Sequence, residues 1–127
     1  MKLVLDTNRY GDADRGELET ITHLRSAERL YLPLIVLAEL RSGFLQGTRS
    51  AENERRLQRF LRTPRVEVLL PNQQTSHEYA RLALQLRKQG TPIPTNDVWI
   101  AALVMQHGLT LYVRDKHFDH LPQLPRI

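Results

Sequence analysis

At 127 residues, with 41% hydrophobic and 25% charged side chains, the chain is sized for a single domain, 1–127, whose core needs no covalent staple. It has no cysteine, which excludes disulfides, thiolate nucleophiles and Cys-based zinc sites and fits a reducing compartment. Eighteen Lys+Arg against fourteen Asp+Glu give a formal charge of +4, which suits a polyanionic partner without requiring one.

Among the basic residues only Lys2, Lys88 and Lys116 are lysines. The arginines that make up the rest favour planar, bidentate contacts with phosphate or carboxylate. The opening residues, one lysine and a short apolar run that meets Asp6, do not read as a signal peptide. The longest apolar run, Val98–Met105, is far short of a membrane span. The expected location is cytoplasmic.

In chain order, Leu3–Leu5 reads as a short buried strand that runs directly into Asp6, Thr7 and Asn8. The stretch GDADRGE, with Asp12 and Asp14, lacks the twelve-residue calcium-loop pattern and reads as a solvated turn. Leu18–Ala27 can form a helix, and Leu30–Leu32 a second strand. Pro33, well placed at a first helical turn, opens a helix through LIVLAEL to Gly43. Ser50–Arg62 is amphipathic, with Leu57, Phe60 and Leu61 on one face. Val66–Leu70 is a third strand, closed by Pro71.

Gln73–Gln89 is the clearest helix: Tyr79, Leu82, Ala83 and Leu86 recur at helical spacing and Gly90 ends it. Asn96–His107 is apolar nearly all round, so it should be buried between other elements, with Trp99 in the core. Gly108 ends it, Leu109–Val113 is a fourth strand, and a helical turn at Lys116–His120 precedes a tail broken by prolines. Strands alternating with helices imply an α/β domain whose parallel sheet is covered on both faces. Ligands bind off the carboxyl ends of the strands in such sheets. There are no internal repeats, low-complexity segments or linkers.

Four acids stand in apolar surroundings. Asp6 follows the first strand, Asp115 follows the fourth, Asp97 starts the apolar helix and Glu39 lies inside LIVLAEL. Each has an ordinary reading. Asp6 could cap a following helix. Asp97 gains roughly 0.3–1 kcal/mol from the helix dipole. Glu39 could pair with Arg41 or Arg25, and Asp115 could be a turn residue. Together, at one sheet edge, they would repel one another unless a cation sat among them. Mg²⁺, a hard ion with a preference for oxygen ligands, is the natural one. Such a site can polarise a phosphodiester and activate water.

LDTN at 5–8, AEL at 38–40, GTPIPTNDVWIAALVMQHGLTL at 90–111 and RDKHFDHLPQL at 114–124 give these acids a family setting. Over essentially its whole length the chain resembles a PIN-domain nuclease, specifically a bacterial VapC-like toxin of a toxin–antitoxin pair. NDVWIAA followed by RDKHF is the specific part of the match; LDTN alone is weak. The resemblance implies an α/β/α sandwich around a short, mainly parallel sheet and a metal-dependent endoribonuclease using Mg²⁺, or alternatively Mn²⁺. It places the catalytic acids at Asp6, Glu39, Asp97 and Asp115, with Asp6 and Asp97 as direct metal ligands and the other two acting through water or at a second ion. Thr7 and Asn8 would hold the carboxylates by hydrogen bonds. The implied partners are RNA, a cognate antitoxin and a second copy of the chain. Val113 departs from the pattern, which often has Thr or Ser there, so a hydroxyl that could orient Asp115 is missing.

Other residues carry open readings. His117 and His120, three apart beside Asp115 and Asp119, resemble half a zinc site without its remaining ligands. His117 could instead meet RNA or cap its helix, and Asp119 could assist the acidic site or serve at the surface. The arginines between Arg49 and Arg65 could serve solubility, an RNA backbone or an antitoxin's carboxylates. Two other functions fit less well. A binding-only PIN fold has to explain an intact quartet. An Asp-based phosphotransferase would need an acid where Asn8 stands.

Overall fold

The computed structural model describes all 127 residues. Four strands form one sheet: β1 (Lys2–Leu5), β2 (Arg29–Pro33), β3 (Val66–Leu69) and β4 (Thr110–Tyr112). Their spatial order is β3-β2-β1-β4 and every pairing is parallel. A parallel strand covered on both faces reads as a continuous apolar run. That is why Leu3, Val4 and Leu5 are all fully buried in the central β1.

Helices α1 (Thr7–Asp14) and α2 (Leu18–Ser26) connect β1 to β2, and α3 (Leu34–Gln46) and α4 (Ser50–Leu61) connect β2 to β3. The pair α5 (Gln73–Gln89) and α6 (Thr95–His107) leads from β3 to β4, and a 3-10 turn (Lys116–His120) follows. The result is the expected α/β/α sandwich with a short parallel sheet. No helix is long and apolar enough to cross a membrane.

Local sequence explains the ends of these elements. Asn72 and Thr75 form a reciprocal capping box at the start of α5. Gly90 and Gly108 close α5 and α6 in the left-handed conformation, at φ 71° and 62°, where a Cβ would be strained. The proline-broken tail is ordered against β4: Leu111 N–H donates to the Pro125 carbonyl at 2.8 Å, and Ile127 N–H to the Leu111 carbonyl at 3.0 Å. These bonds cover backbone groups on the outer edge of β4.

Two expectations are corrected, and one open reading is closed. The segment through Asp12 and Asp14 is not a solvated turn but the second half of α1, and Asp12 is buried there. Its apolar periodicity is poor because the helix is fastened by polar contacts. Asp6 caps it, Asp12 takes arginines, and Asp14 pairs with Arg56 of α4 at 2.9 Å. Trp99 is not core. It is half-buried on α6 while Val98 and Ile100–Val104 are buried, and it lies against Tyr79 of α5 with ring centroids 4.3 Å apart. Arg41 does not serve Glu39; it forks onto Glu54 of α4 at 3.0 and 3.1 Å.

Strand order fixes where a site can form. The chain leaves β1 for β2 on one side and returns to β4 on the other. The carboxyl ends of β1 and β4 therefore flank the point where connections change direction, where a crevice opens in sheets of this type.

Candidate active site

Asp6 is the residue after β1 and the N-cap of α1, so its backbone is already committed by two elements. Its Oδ1 accepts the Arg9 backbone N–H at 2.8 Å. It caps the helix and also points its charge into the crevice. The residue is only 6% exposed. Burial pushes its carboxyl up to about 6; the Arg9 backbone bond and guanidinium oppose the rise, and negative charge at Asp115 and Asp97 adds to it.

Glu39 enters from α3. Its Oε1 accepts the Thr7 hydroxyl at 2.7 Å and its Oε2 the Asn96 amide at 3.3 Å. Thr7 thus has the supporting role expected of it. Asn8 does not: it is exposed, and Asn96 from the start of α6 supplies the second bond.

Asp97 lies in the first turn of α6, where the helix dipole favours an acid. Its carboxyl is nonetheless raised, chiefly by burial; the His117 hydrogen bond works against this, and Asp115 and Glu39 add to it. Asp115 caps the 3-10 turn through the His117 N–H at 2.9 Å. That contact orients the carboxylate although Val113, buried, offers no hydroxyl.

His117 links the two acids. Its Nδ1 lies 2.9 Å from Asp97 Oδ2 and 3.2 Å from Asp115 Oδ1. Ligand atoms of Asp97, Asp115 and His117 all fall within 4.8 Å of one another. This is a group able to hold a metal ion. Two carboxylates and an imidazole suit a divalent cation but do not select one, since carboxylates favour Mg²⁺ or Mn²⁺ and imidazole favours softer ions. Asp6 and Glu39 stand outside this tight group yet within electrostatic reach of it. His120 is not a member, so the zinc half-site built on His117 and His120 does not form; His117 turns to Asp97 instead. Asp119 pairs with Arg126 at the surface.

The part of the site that the sequence did not disclose is a set of polar contacts around α1. Arg114, next to Asp115, forks onto Asp12 at 3.0 and 3.1 Å. That hydrogen bonding, ahead of any other cause, holds the Asp12 carboxyl below the usual carboxylate range. Arg9 lies over the Tyr112 ring at 4.1 Å from its centroid. The one local signal was an Arg immediately before a candidate acid, and nothing in the sequence named its partner.

The model of the PIN-domain family matches residues 3–124. Ribonuclease VapC1 of Haemophilus influenzae (strain R2866) is 34% identical, over 98% of this chain and 95% of its own length. The chain belongs to the VapC family of PIN domains. Solved structures agree with that assignment. VapBC-1 from nontypeable Haemophilus influenzae is similar to this PIN domain with a TM-score of 0.87 at 30% identity, covering 100% of this chain and 97% of its own. VapBC2 from Rickettsia felis, bound to a DNA fragment from its promoter, is similar with a TM-score of 0.88 at 25% identity, covering 100% and 98%.

Proposed function

We propose that this PIN domain is a Mg²⁺-dependent endoribonuclease, with Mn²⁺ as an alternative ion, and the toxin of a toxin–antitoxin pair. The observation that carries the reading is the convergence of Asp97, Asp115 and His117 at the β1–β4 crevice, with Asp6 and Glu39 in electrostatic reach. The family and a relative called a ribonuclease support it.

The quartet Asp6, Glu39, Asp97 and Asp115 would hold the ion: Asp97 sits in the tight group with Asp115, and Asp6, expected as the other direct ligand, would meet the ion from beside that group. When bound, a divalent cation there neutralises charge on a phosphodiester and favours attack by water. The chain's own residues set that chemistry up. Thr7 and Asn96 fix the Glu39 carboxylate, α1 fixes Asp6, and the 3-10 turn fixes Asp115 and His117. Burial raises the Asp6 and Asp97 carboxyls, so the metal-free site favours taking up a proton or a cation.

RNA is the proposed substrate, in keeping with the relative called a ribonuclease, and a cognate antitoxin the proposed inhibitor, in keeping with the similar VapBC-5 of Mycobacterium tuberculosis, a member of the VapBC family of toxin-antitoxin systems. An antitoxin arginine entering the acid cluster would compete with the cation. A second copy of the chain as partner and a cytoplasmic location complete the reading.

Cleavage of total cellular RNA by the purified chain tests it, with Mg²⁺, Mn²⁺ or EDTA, beside Asp97→Asn. Cleavage should require metal and disappear in the variant. A second reading, an RNA-binding PIN fold without turnover, draws on His117, which already bridges Asp97 and Asp115 where a cation would stand. Stoichiometric RNA binding with no cleavage in any divalent metal selects it.

A further inference from the structure

Asp12 is fully outside the acid quartet, yet its side chain is only 10% exposed and three arginines face it. Arg15 Nη2 donates to Oδ1 at 2.7 Å, Arg114 donates to both oxygens, and Arg9 Nη1 lies 3.6 Å from Oδ2. These contacts differ in kind. Arg15 is three residues away on the same helix and 68% exposed, the sort of surface pair that contributes little. Arg114, itself 51% exposed, differs in reach and geometry: it is 102 residues away and meets Asp12 through a two-pronged fork. A fork fixes orientation as well as distance.

The residue after Arg114 is Asp115, whose carboxylate meets His117, which meets Asp97. Helix α1 therefore touches the acid site three times. It carries Asp6 at its cap, reaches Glu39 through Thr7, and grips the chain beside Asp115 through Asp12. We propose that Asp12 and Arg114 are positioning residues, whose fork sets where the Asp115 carboxylate stands relative to Asp97 and so determines the cation affinity of the site. This rests on the metal-site reading above.

The sign of one substitution separates positioning from charge. Arg114 lies within electrostatic reach of Asp6 and Asp115. If it acted only as a nearby positive charge, removing it would tighten cation binding. If it positions Asp115, removing it loosens binding despite the lost repulsion.

The experiment is Mn²⁺ titration of the full chain followed by electron paramagnetic resonance. It compares the unaltered chain with Arg114→Met, Arg114→Lys, Arg15→Gln and Asp97→Asn, each first checked for folding by circular dichroism. Both Arg114 variants should weaken Mn²⁺ binding by about 10-fold or more, while Arg15→Gln stays near the unaltered chain. Lys keeps the charge and loses the fork, so unchanged affinity in Arg114→Lys overturns the positioning role. Tighter binding in Arg114→Met overturns it as well. An unaltered chain with no Mn²⁺ binding that depends on Asp97 overturns the metal-site reading, and this inference with it.

Discussion

The Thr7 hydroxyl donates to Glu39 Oε1 at 2.7 Å, across 32 residues of sequence and between two different helices. It joins the first turn of α1, which Asp6 caps, to the middle of α3. Two acids of the proposed quartet are thereby held to each other through one small side chain.

Thr7→Val keeps the shape and removes the donor. Stability should fall by about 1 kcal/mol, the usual net value of such a bond. RNA turnover should fall by about 10-fold, the low end for losing a bond that orients a site ligand, with KM little changed. Steady-state cleavage and thermal melting measure the two effects separately. Full turnover in the variant would show that Asn96 suffices to orient Glu39.

Asp6 makes stability depend on pH. Its carboxyl rises from 3.8 to about 6 on folding, so between those values the native chain holds a proton that the unfolded chain has released. Stability not yet lost below about pH 4 is therefore lost as pH rises through about 6, up to roughly 3 kcal/mol for a shift of this size. Asp6→Asn still caps α1 and carries no charge. In EDTA it should melt above the unaltered chain at pH 7.5 and with it at pH 4, and with the divalent metal restored it should no longer cleave RNA. Equal melting temperatures at both pH values would remove the burial argument.

Metal should stabilise the same site. An ion that binds only the folded chain adds about 2.7 kcal/mol at 100 times its dissociation constant. Mn²⁺ or Mg²⁺ should therefore raise the melting temperature of the unaltered chain and leave that of Asp97→Asn nearly unmoved. An equal rise in both proteins would place the bound ion elsewhere.

Phe118 anchors the turn that carries Asp115 and His117. It is 1% exposed and belongs to the main core. Phe118→Ala should cost about 3–5 kcal/mol by denaturant melts. A loss under 1 kcal/mol would mean the turn is held by its polar contacts instead of its packing.

Much of this architecture was legible from apolar spacing. Leu3–Leu5, the Tyr79–Leu86 stripe and the glycines at 90 and 108 marked elements that the structure reproduces within a few residues. Of helix α1 only the start was legible, in the capping role open to Asp6; its second half was not, because Asp12 and Asp14 hold it by contacts with Arg114 and Arg56, which lie far along the chain. Trp99 misled for a related reason. An all-apolar helix reads as buried all round, yet its Trp stands at the rim of a 300 Å³ apolar pocket formed with Leu34, Ile35, Ala38 and Pro71. The acids themselves were visible as charges in apolar company. His117 was visible only as a neighbour of Asp115, since its link to Asp97 is made by folding.

The neighbour of β1 on the crevice side is β4, more than a hundred residues further along, with Leu5 opposite Tyr112. A ribosome therefore releases Asp6 and Glu39 well before the strand that completes their surroundings. Until that strand docks, the nascent polypeptide holds acids with no assembled centre. Catalytic competence would arrive as a late step set by long-range strand docking, the slow kind of contact in folding. A cell making such a chain would gain an interval in which an inhibitor can meet it before it can act.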